Sequence, residues 1–387
     1  HTRQGILMEQ KRKFLFLYLT TGAGHISTAR VMRDCIQKLN PDAEIVMVNG
    51  FDKKNIWGQY IFEHGYYMST NVYHGMFALA YDMGMNRFWQ SATIKLLYPH
   101  TTWYLKKIIE KENPTDIVSF HFALSPYLYD IVKKSGKKIN LSVMVTDPFT
   151  VPHFWFYDKR LDYLVYSEQA KKTGMSLGVP ENQIKIVPFA LNPKYQIPFT
   201  KDDVVELKKK HGFDLDKKTL LMVGGGDGIP GAIEIINKCI SKKAKFSVAV
   251  ICGHDKAKQK YLEGIKALNP KLDLHVFGFV NYLDELVKLS DCVVMKAGPA
   301  TLIEVLTCKK PVIICRYIHN QEKGNMLFAV NNKVGYFIQK PKAIYEKVEE
   351  LLYDEHFDEK MEKTFAALKI DTDTDKTARI LLEKKSF

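Results

Sequence analysis

No window of this 387-residue sequence approaches the roughly 18 consecutive apolar residues that a membrane-spanning helix needs. A bilayer-crossing segment is therefore not expected, which still leaves a membrane surface open to the chain. Cysteine is scarce: six residues, at 35, 239, 252, 292, 308 and 315, with no Cys-x-x-Cys pair and mostly inside apolar runs. That usage speaks against a disulfide framework and a zinc site, and for buried thiols in a reducing compartment. The Walker pattern is absent, and the dinucleotide fingerprint is incomplete because Thr28 takes its last position, so a nicotinamide site is disfavoured. No secretory signal follows Met8. Residues 1–7 read as an expression remnant and are set aside. No detached basic tail exists either, because the net charge of +13 is spread over both halves. The excess favours polyanionic surfaces: nucleic acid, anionic lipid or phosphorylated substrates. At 46% hydrophobic and 26% charged residues the composition is that of a folded protein, and the length suggests two domains.

What is present is a repeated rhythm. Phe14–Leu19 is an apolar run ending in Gly22-Ala-Gly-His25, followed by helix-spaced Ile26, Ala29, Met32, Ile36 and Leu39. That order reads as strand, glycine turn, helix. Further strands are predicted at 44–48, 117–120, 139–145 and 163–167. Residues 55–104 break the pattern with 13 aromatics, about twice the chain's 12% average, and interleaved methionines. A linker is placed at 191–202, around Pro193 and Pro198. The second half repeats the opening: strand 219–223, the turn Gly224-Gly-Gly-Asp-Gly228, a helix from Pro230, then strands at 246–252, 274–277, 292–296 and 312–315. The expected fold is α/β, with two tandem Rossmann-like, doubly wound domains, 8–190 and 203–370, facing across a cleft. The segment 371–387 is expected to be a C-terminal helix packing back toward the first domain. Ligands of such sheets bind at the carboxyl ends of the strands.

Several motifs fall at those ends. Gly22-Ala-Gly-His25 offers glycines and a helix N-terminus to an anion, and His25 has the intrinsic pKa for general-base work. Gly224–Gly228 is a second candidate phosphate cradle. Lys296-Ala-Gly-Pro-Ala-Thr301 leads into a helix whose first turn can donate N–H groups to a phosphate, with Glu304 placed one turn later to accept ribose hydroxyls. Gln321, Glu322 and Asn325 form a polar cluster that can bond sugar hydroxyls. Asp371-Thr-Asp-Thr-Asp375 has the look of a metal-holding Asp-x-Asp, but it precedes a helix that needs a cap, and capping is the expected role. The aromatic segment suits a lipid–water boundary, with Trp57, Tyr66, Tyr67, Trp89 and Trp103 toward the membrane and Lys106 and Lys107 toward its headgroups.

In order and spacing, the chain resembles the monogalactosyldiacylglycerol synthases and processive diacylglycerol glucosyltransferases of glycosyltransferase family 28. The residues that carry this are Gly22–His25, Thr146-Asp147 with His153, Trp155 and Asp162, Gly224–Gly228, Phe277-Gly-Phe279, Lys296–Thr301 with Glu304, and Gln321-Glu322 with Gly324-Asn325. The resemblance implies a GT-B fold with the donor on the second domain. It places the backbone around Phe279 on uracil, Glu304 on ribose, and Gly225, Gly226, Ala300 and Thr301 on the diphosphate. Gln321 and Glu322 fall on the sugar, Gly24 joins the donor-binding set, and His25 is a candidate base with Asp147 and His121 in reserve. It further implies an inverting reaction without a catalytic metal or prosthetic group.

The expected activity is transfer of a hexose from UDP-glucose or UDP-galactose to diacylglycerol or a glycosyl-diacylglycerol. The expected setting is peripheral, on the cytoplasmic side of a membrane holding anionic lipids. The alternatives are a transferase acting on a polyprenyl-linked acceptor, a UDP-sugar epimerase on the same fold and, on charge alone, a nucleic-acid-binding protein. No nucleic-acid motif supports the last, and no nucleic-acid partner is expected.

Overall fold

A computed structural model describes residues 11–20, 23–51, 86–319 and 321–384. Two six-stranded parallel sheets organise them. The first runs β2-β1-β3-β4-β5-β6, built from β1 (Lys13–Tyr18), β2 (Glu44–Asn49), β3 (Asp116–Ser119), β4 (Asn140–Met144), β5 (Asp162–Val165) and β6 (Ile184–Ile186). The second runs β12-β11-β10-β7-β8-β9, from β7 (Thr219–Val223), β8 (Ser247–Ile251), β9 (Leu274–Phe277), β10 (Cys292–Lys296), β11 (Val312–Arg316) and β12 (Gly335–Phe337). The strands are apolar on both faces because helices cover both. In β1, Leu15 and Leu17 enter one core layer and Phe14 and Phe16 the other; in β7, Leu221 and Val223 oppose Leu220 and Met222. This is why the strands read as continuous apolar runs rather than alternations.

The covering helices of the first domain are α1 (Ala23–Leu39), α2 (Arg87–Glu112), α3 (Ser125–Ser135) and α4 (Glu168–Ser176). Those of the second are α5 (Lys201–His211), α6 (Ala232–Ser241), α7 (Lys256–Leu268), α8 (Leu283–Leu289), α9 (Pro299–Thr307), α10 (Lys323–Asn331), α11 (Pro341–Tyr353) and α12 (Phe357–Ala367). Then α13 (Thr374–Glu383) returns to the first domain, where Ala378 and Leu381 join the layer of Phe14 and Phe16. The two crossings are bonded together: Phe189 N–H donates to Asp371 O (2.8 Å) and Leu191 N–H to Thr374 Oγ1 (3.2 Å).

The structure departs from the sequence reading at four places. β6 and β12, three residues each, are too short to show a period. The described part of the aromatic segment, 86–104, is helix from residue 87 on: α2 runs through Pro99, which lies on the exposed side, where the carbonyl it frees can be met by water. Ile94, Leu97, Leu105, Ile108 and Ile109 of α2 are core, so the segment is not surface alone. Finally, Asp373 stands at the N-cap of α13 without a side-chain cap bond. Asp371 instead accepts the Asp373 N–H (3.0 Å), and Lys376 pairs with Asp371 (3.0 Å). All six cysteines are buried and free, and burial pushes the thiols of Cys35, Cys308 and Cys315 up to about 11. No helix among the described residues is long and apolar enough to cross a membrane.

One guanidinium seals the C-terminal helix to the sheet. Arg12 forks onto buried Asp116 (2.6 and 2.8 Å) and donates to the carbonyls of Leu381, Leu382 and Lys384 (2.9, 2.7 and 3.2 Å). Removing one partner of such a pair strands the other charge in the interior. Arg12→Met is expected to cost about 3 kcal/mol in urea unfolding, and Arg12→Lys to recover only part of it because lysine lacks the fork. An unchanged midpoint would refute the seal.

Candidate active site

Each sheet has one point where the strand order reverses: between β1 and β3 in the first, between β7 and β10 in the second. Connections leave such a point in opposite directions and open a crevice at the strand ends. The two crevices face each other and merge into one interdomain cleft of about 900 Å³.

The first domain contributes Gly24 and His25 from the first turn of α1, Thr20 from the end of β1, and Thr146 and Asp147 just past β4. The Thr146 hydroxyl lies 2.8 Å from His25 Nδ1, and the His25 ring also donates to the Phe120 carbonyl. Burial lowers its pKa to about 4, so the imidazole is neutral around pH 7. Asp147 is buried. Its Oδ2 accepts the Trp155 indole N–H (2.7 Å), and its Oδ1 accepts from Gln321 Nε2 (3.1 Å) across the cleft. Burial raises this carboxyl to about 6 against those two bonds.

The second domain supplies a glycine turn, a helix N-terminus and a polar loop. In the turn, Gly225 and Gly228 have φ of +77° and +72°, and a Cβ on Gly224 would run into the Gly228 backbone. The next loop closes on it, with His254 N–H donating to Gly226 O (2.7 Å). Glycine here is thus a steric demand of the turn as much as room for a ligand. α9 begins at Gly298 without any side-chain cap bond, so its first N–H groups, around Ala300 and Thr301, face the cleft unmet by a cap. Glu304 follows one turn on. Burial raises it to about 7, and Tyr195 hydrogen-bonds to it. Phe279, 66% exposed, stacks on His254 (4.6 Å, 13°) at the rim. Glu322 Oε2 accepts the Ile318 N–H (2.7 Å), closing the 318–322 loop, and burial raises it to about 7 with Lys296 opposing.

The cleft therefore gathers His25, Asp147, Gly24, Gly225, Gly226, Phe279, Ala300, Thr301, Glu304, Gln321 and Glu322. Two expectations are corrected. His121 does not reach the cleft: it is buried behind His25, ring to ring at 4.6 Å, and its Nδ1 accepts the Ala123 N–H (3.1 Å). It packs against His25 from behind the cleft wall. Asn325 is buried outside the cleft lining and ties α10 to the end of β10, its Nδ2 donating to Ala297 O (2.8 Å). Trp57, Tyr66 and Tyr67 lie outside the described residues. Trp89 and Trp103 are exposed on α2 with Lys106 and Lys107, and Lys107 sits over the Trp103 ring.

Sequence reasoning missed Tyr195 and Arg316, and named Thr146 and Lys296 inside motifs without giving either a role; all four line the cleft. Lys296 and Arg316 had a legible signal: each is the cation that ends an apolar parallel strand. A register shift between Met295 and Lys296 brings the two cations opposite each other, Lys296 pairing with Arg316 at the strand ends. Tyr195 had none, because its partner Glu304 is more than a hundred residues away.

Two Rossmann-like domains facing across such a cleft define the GT-B class of glycosyltransferases and related nucleotide-sugar enzymes. Solved structures of that shape include Acinetobacter baumannii MurG (TM-score 0.59, 11% identity, 96% of this chain and 100% of that one) and the UDP-GlcNAc 2-epimerase of Neisseria meningitidis (TM-score 0.59, 15%, 96% and 100%). The family model for monogalactosyldiacylglycerol (MGDG) synthase matches residues 25–188, and that for glycosyl transferases group 1 matches 203–366. The chain is 24% identical to a processive diacylglycerol beta-glucosyltransferase of Bacillus licheniformis over 98% of both proteins. It is 26% identical to monogalactosyldiacylglycerol synthase 1 of Arabidopsis thaliana over 88% of this chain and 64% of that one. Over nearly its whole length the chain is thus similar to the processive diacylglycerol glucosyltransferases, and over residues 25–188 to the monogalactosyldiacylglycerol synthases.

The raised carboxyls make the stability of the fold depend on pH. Glu322 has a folded pKa near 7 against about 4.5 unfolded, so between those values the native state binds more protons and stability falls as pH rises. Glu322→Gln keeps the acceptor for Ile318 and removes the charge. Its unfolding free energy is expected to decline less than wild type between pH 5 and 8, by on the order of 2–3 kcal/mol. Parallel stability–pH curves would contradict this.

Proposed function

We propose that this enzyme transfers a hexose from UDP-glucose or UDP-galactose to diacylglycerol, or to a glycosyl-diacylglycerol, while its first domain rests on a membrane. The observation that carries the reading is the pairing inside one cleft of an uncapped helix N-terminus, followed one turn later by Glu304, with a neutral, hydrogen-bonded histidine on the opposite domain. The exposed aromatic and lysine side chains of α2 support the membrane setting.

The donor lies on the second domain. Uracil meets the backbone beside Phe279, and Glu304 accepts the ribose hydroxyls. The diphosphate faces the first N–H groups of α9, the glycine turn, Lys296 and Arg316. Gln321 and Glu322 take the sugar hydroxyls. The acceptor hydroxyl enters beside His25. With its ring proton held on the Phe120 carbonyl, His25 offers Nδ1 to the acceptor proton, directly or through the Thr146 hydroxyl. The acceptor oxygen attacks the anomeric carbon from the face opposite UDP, inverting it, and the bond to the β-phosphate oxygen breaks. Negative charge growing on that phosphate is met by fixed N–H groups and cations that need no reorganisation. No catalytic metal is assigned a step.

Labelled UDP-glucose and UDP-galactose, offered separately to diacylglycerol liposomes, test the reaction. A labelled glycolipid from either donor is the expected result; UDP binding without lipid labelling would overturn the acceptor. His25→Ala is expected to lower turnover on the order of 100-fold with UDP affinity kept. Near-normal turnover would remove His25 from the chemistry.

A further inference from the structure

Gln321 and Asp147 meet across the cleft, one from each domain. Gln321 stands on the loop after β11. That loop is closed by the Glu322 carboxylate on the Ile318 N–H and by the Gln321 N–H on His319 O (2.7 Å). The backbone is thus held, and what remains to be decided is which end of the side-chain amide points where. Its Nε2 donates to Asp147 Oδ1 (3.1 Å), and among the described residues its Oε1 meets no donor.

Asp147 imposes that choice. Burial raises its carboxyl to about 6, so at pH 8 both oxygens are acceptors only. Oδ2 is committed to the indole of Trp155 (2.7 Å), a donor and nothing else, on a ring with no solvent exposure. The backbone on either side is pinned: Val145 N–H donates to Leu164 O (2.9 Å) and Ser167 Oγ to Pro148 O (2.5 Å). A fixed carboxylate oxygen therefore faces Gln321, and only the N–H end of the amide can meet it. Oε1 is the end left for a ligand.

We infer that Asp147 is a positioning residue that sets the polarity of Gln321, so that the second domain reads one hydroxyl of the donor sugar through a carbonyl oxygen and requires that hydroxyl to donate. The first domain, which receives the acceptor, thereby fixes how the second reads the donor. The inference rests on the proposed placement of the donor sugar at Gln321 and not on the identity of the acceptor.

Asp147→Asn keeps the shape and changes the polarity. An amide offers one accepting end and one donating end. The buried indole N–H keeps the accepting end, since stranding it is costly. The donating end then faces Gln321, whose amide turns over to meet it, and Nε2 replaces Oε1 before the sugar. Fluorine in place of a hydroxyl separates the two states, because it accepts weakly and never donates.

The test is displacement of labelled UDP from the full chain at pH 8 by UDP-glucose, UDP-galactose and their 2-, 3-, 4- and 6-deoxyfluoro analogues. Each affinity is referred to that of UDP in the same variant. In the wild type, fluorine at the position read by Gln321 is expected to weaken binding on the order of 20-fold, and Gln321→Met identifies that position by abolishing the penalty. Asp147→Asn is expected to reduce the same penalty to about threefold or less, with the parent hexose keeping the affinity that Gln321→Met loses. A residue that only supported the fold would not act on one ring position. A full penalty retained in Asp147→Asn would overturn the proposal, as would a wild type with no penalty that depends on Gln321. An Asp147→Asn chain that fails to fold, or loses UDP and every donor alike, would make Asp147 part of the framework and overturn it too. Binding of UDP with no contribution from either hexose would remove the donor-sugar placement itself, and this proposal with it.

Discussion

A parallel sheet delivers the carboxyl end of every strand to the same edge, and this constraint shapes the molecule. With the strand order reversing once in each sheet, that edge carries a crevice, and the crevice collects whatever residue ends each strand. In the first domain these are Thr20, Thr146 and Asp147; in the second they are Gly224, Lys296 and Arg316. Helices that start at the same edge point their N-termini inward. The cleft is therefore positively poised by the backbone before any side chain is counted.

Against that field stand two buried carboxyls, Asp147 and Glu322, and the half-buried Glu304, each pushed up toward neutrality because desolvation outweighs its hydrogen bonds. None has an ion-pair partner at salt-bridge distance among the described residues. A site that leaves its acids short of partners is one that a polyhydroxylated, anionic ligand would complete. The hydroxyls supply donors to the acids, and the phosphates accept from α9 and the cations. Asp147 is the residue most exposed to this exchange. One of its oxygens is held by Trp155 of its own domain and the other by Gln321 of the opposite one, so engagement of Gln321 elsewhere is felt on the acceptor side.

Domain contact is otherwise made by packing. Phe149 stacks on Phe328 at 4.5 Å, and Gly324 has no Cβ because Phe149 and Thr150 occupy its place. Together with the bonded pair of crossings at 189–191 and 371–374, these contacts set the width of the cleft.

The two Rossmann-like repeats, the glycine turns and the helix opened by Pro299 could be read from local pattern, because apolar runs, glycine and proline act within a few residues. So could the residues that end strands: Lys296, named with its motif, and Arg316, which was passed over. The C-terminal helix was legible as a helix, but its bond to Arg12 was not. Pairings such as Tyr195 with Glu304 or Asp147 with Gln321 join residues more than a hundred positions apart, and no local period encodes them. The place of His121 behind His25 is likewise a product of how elements pack. Chain-local sterics and hydrophobicity determined the elements and their order; which side chains share a cavity was decided only by long-range packing.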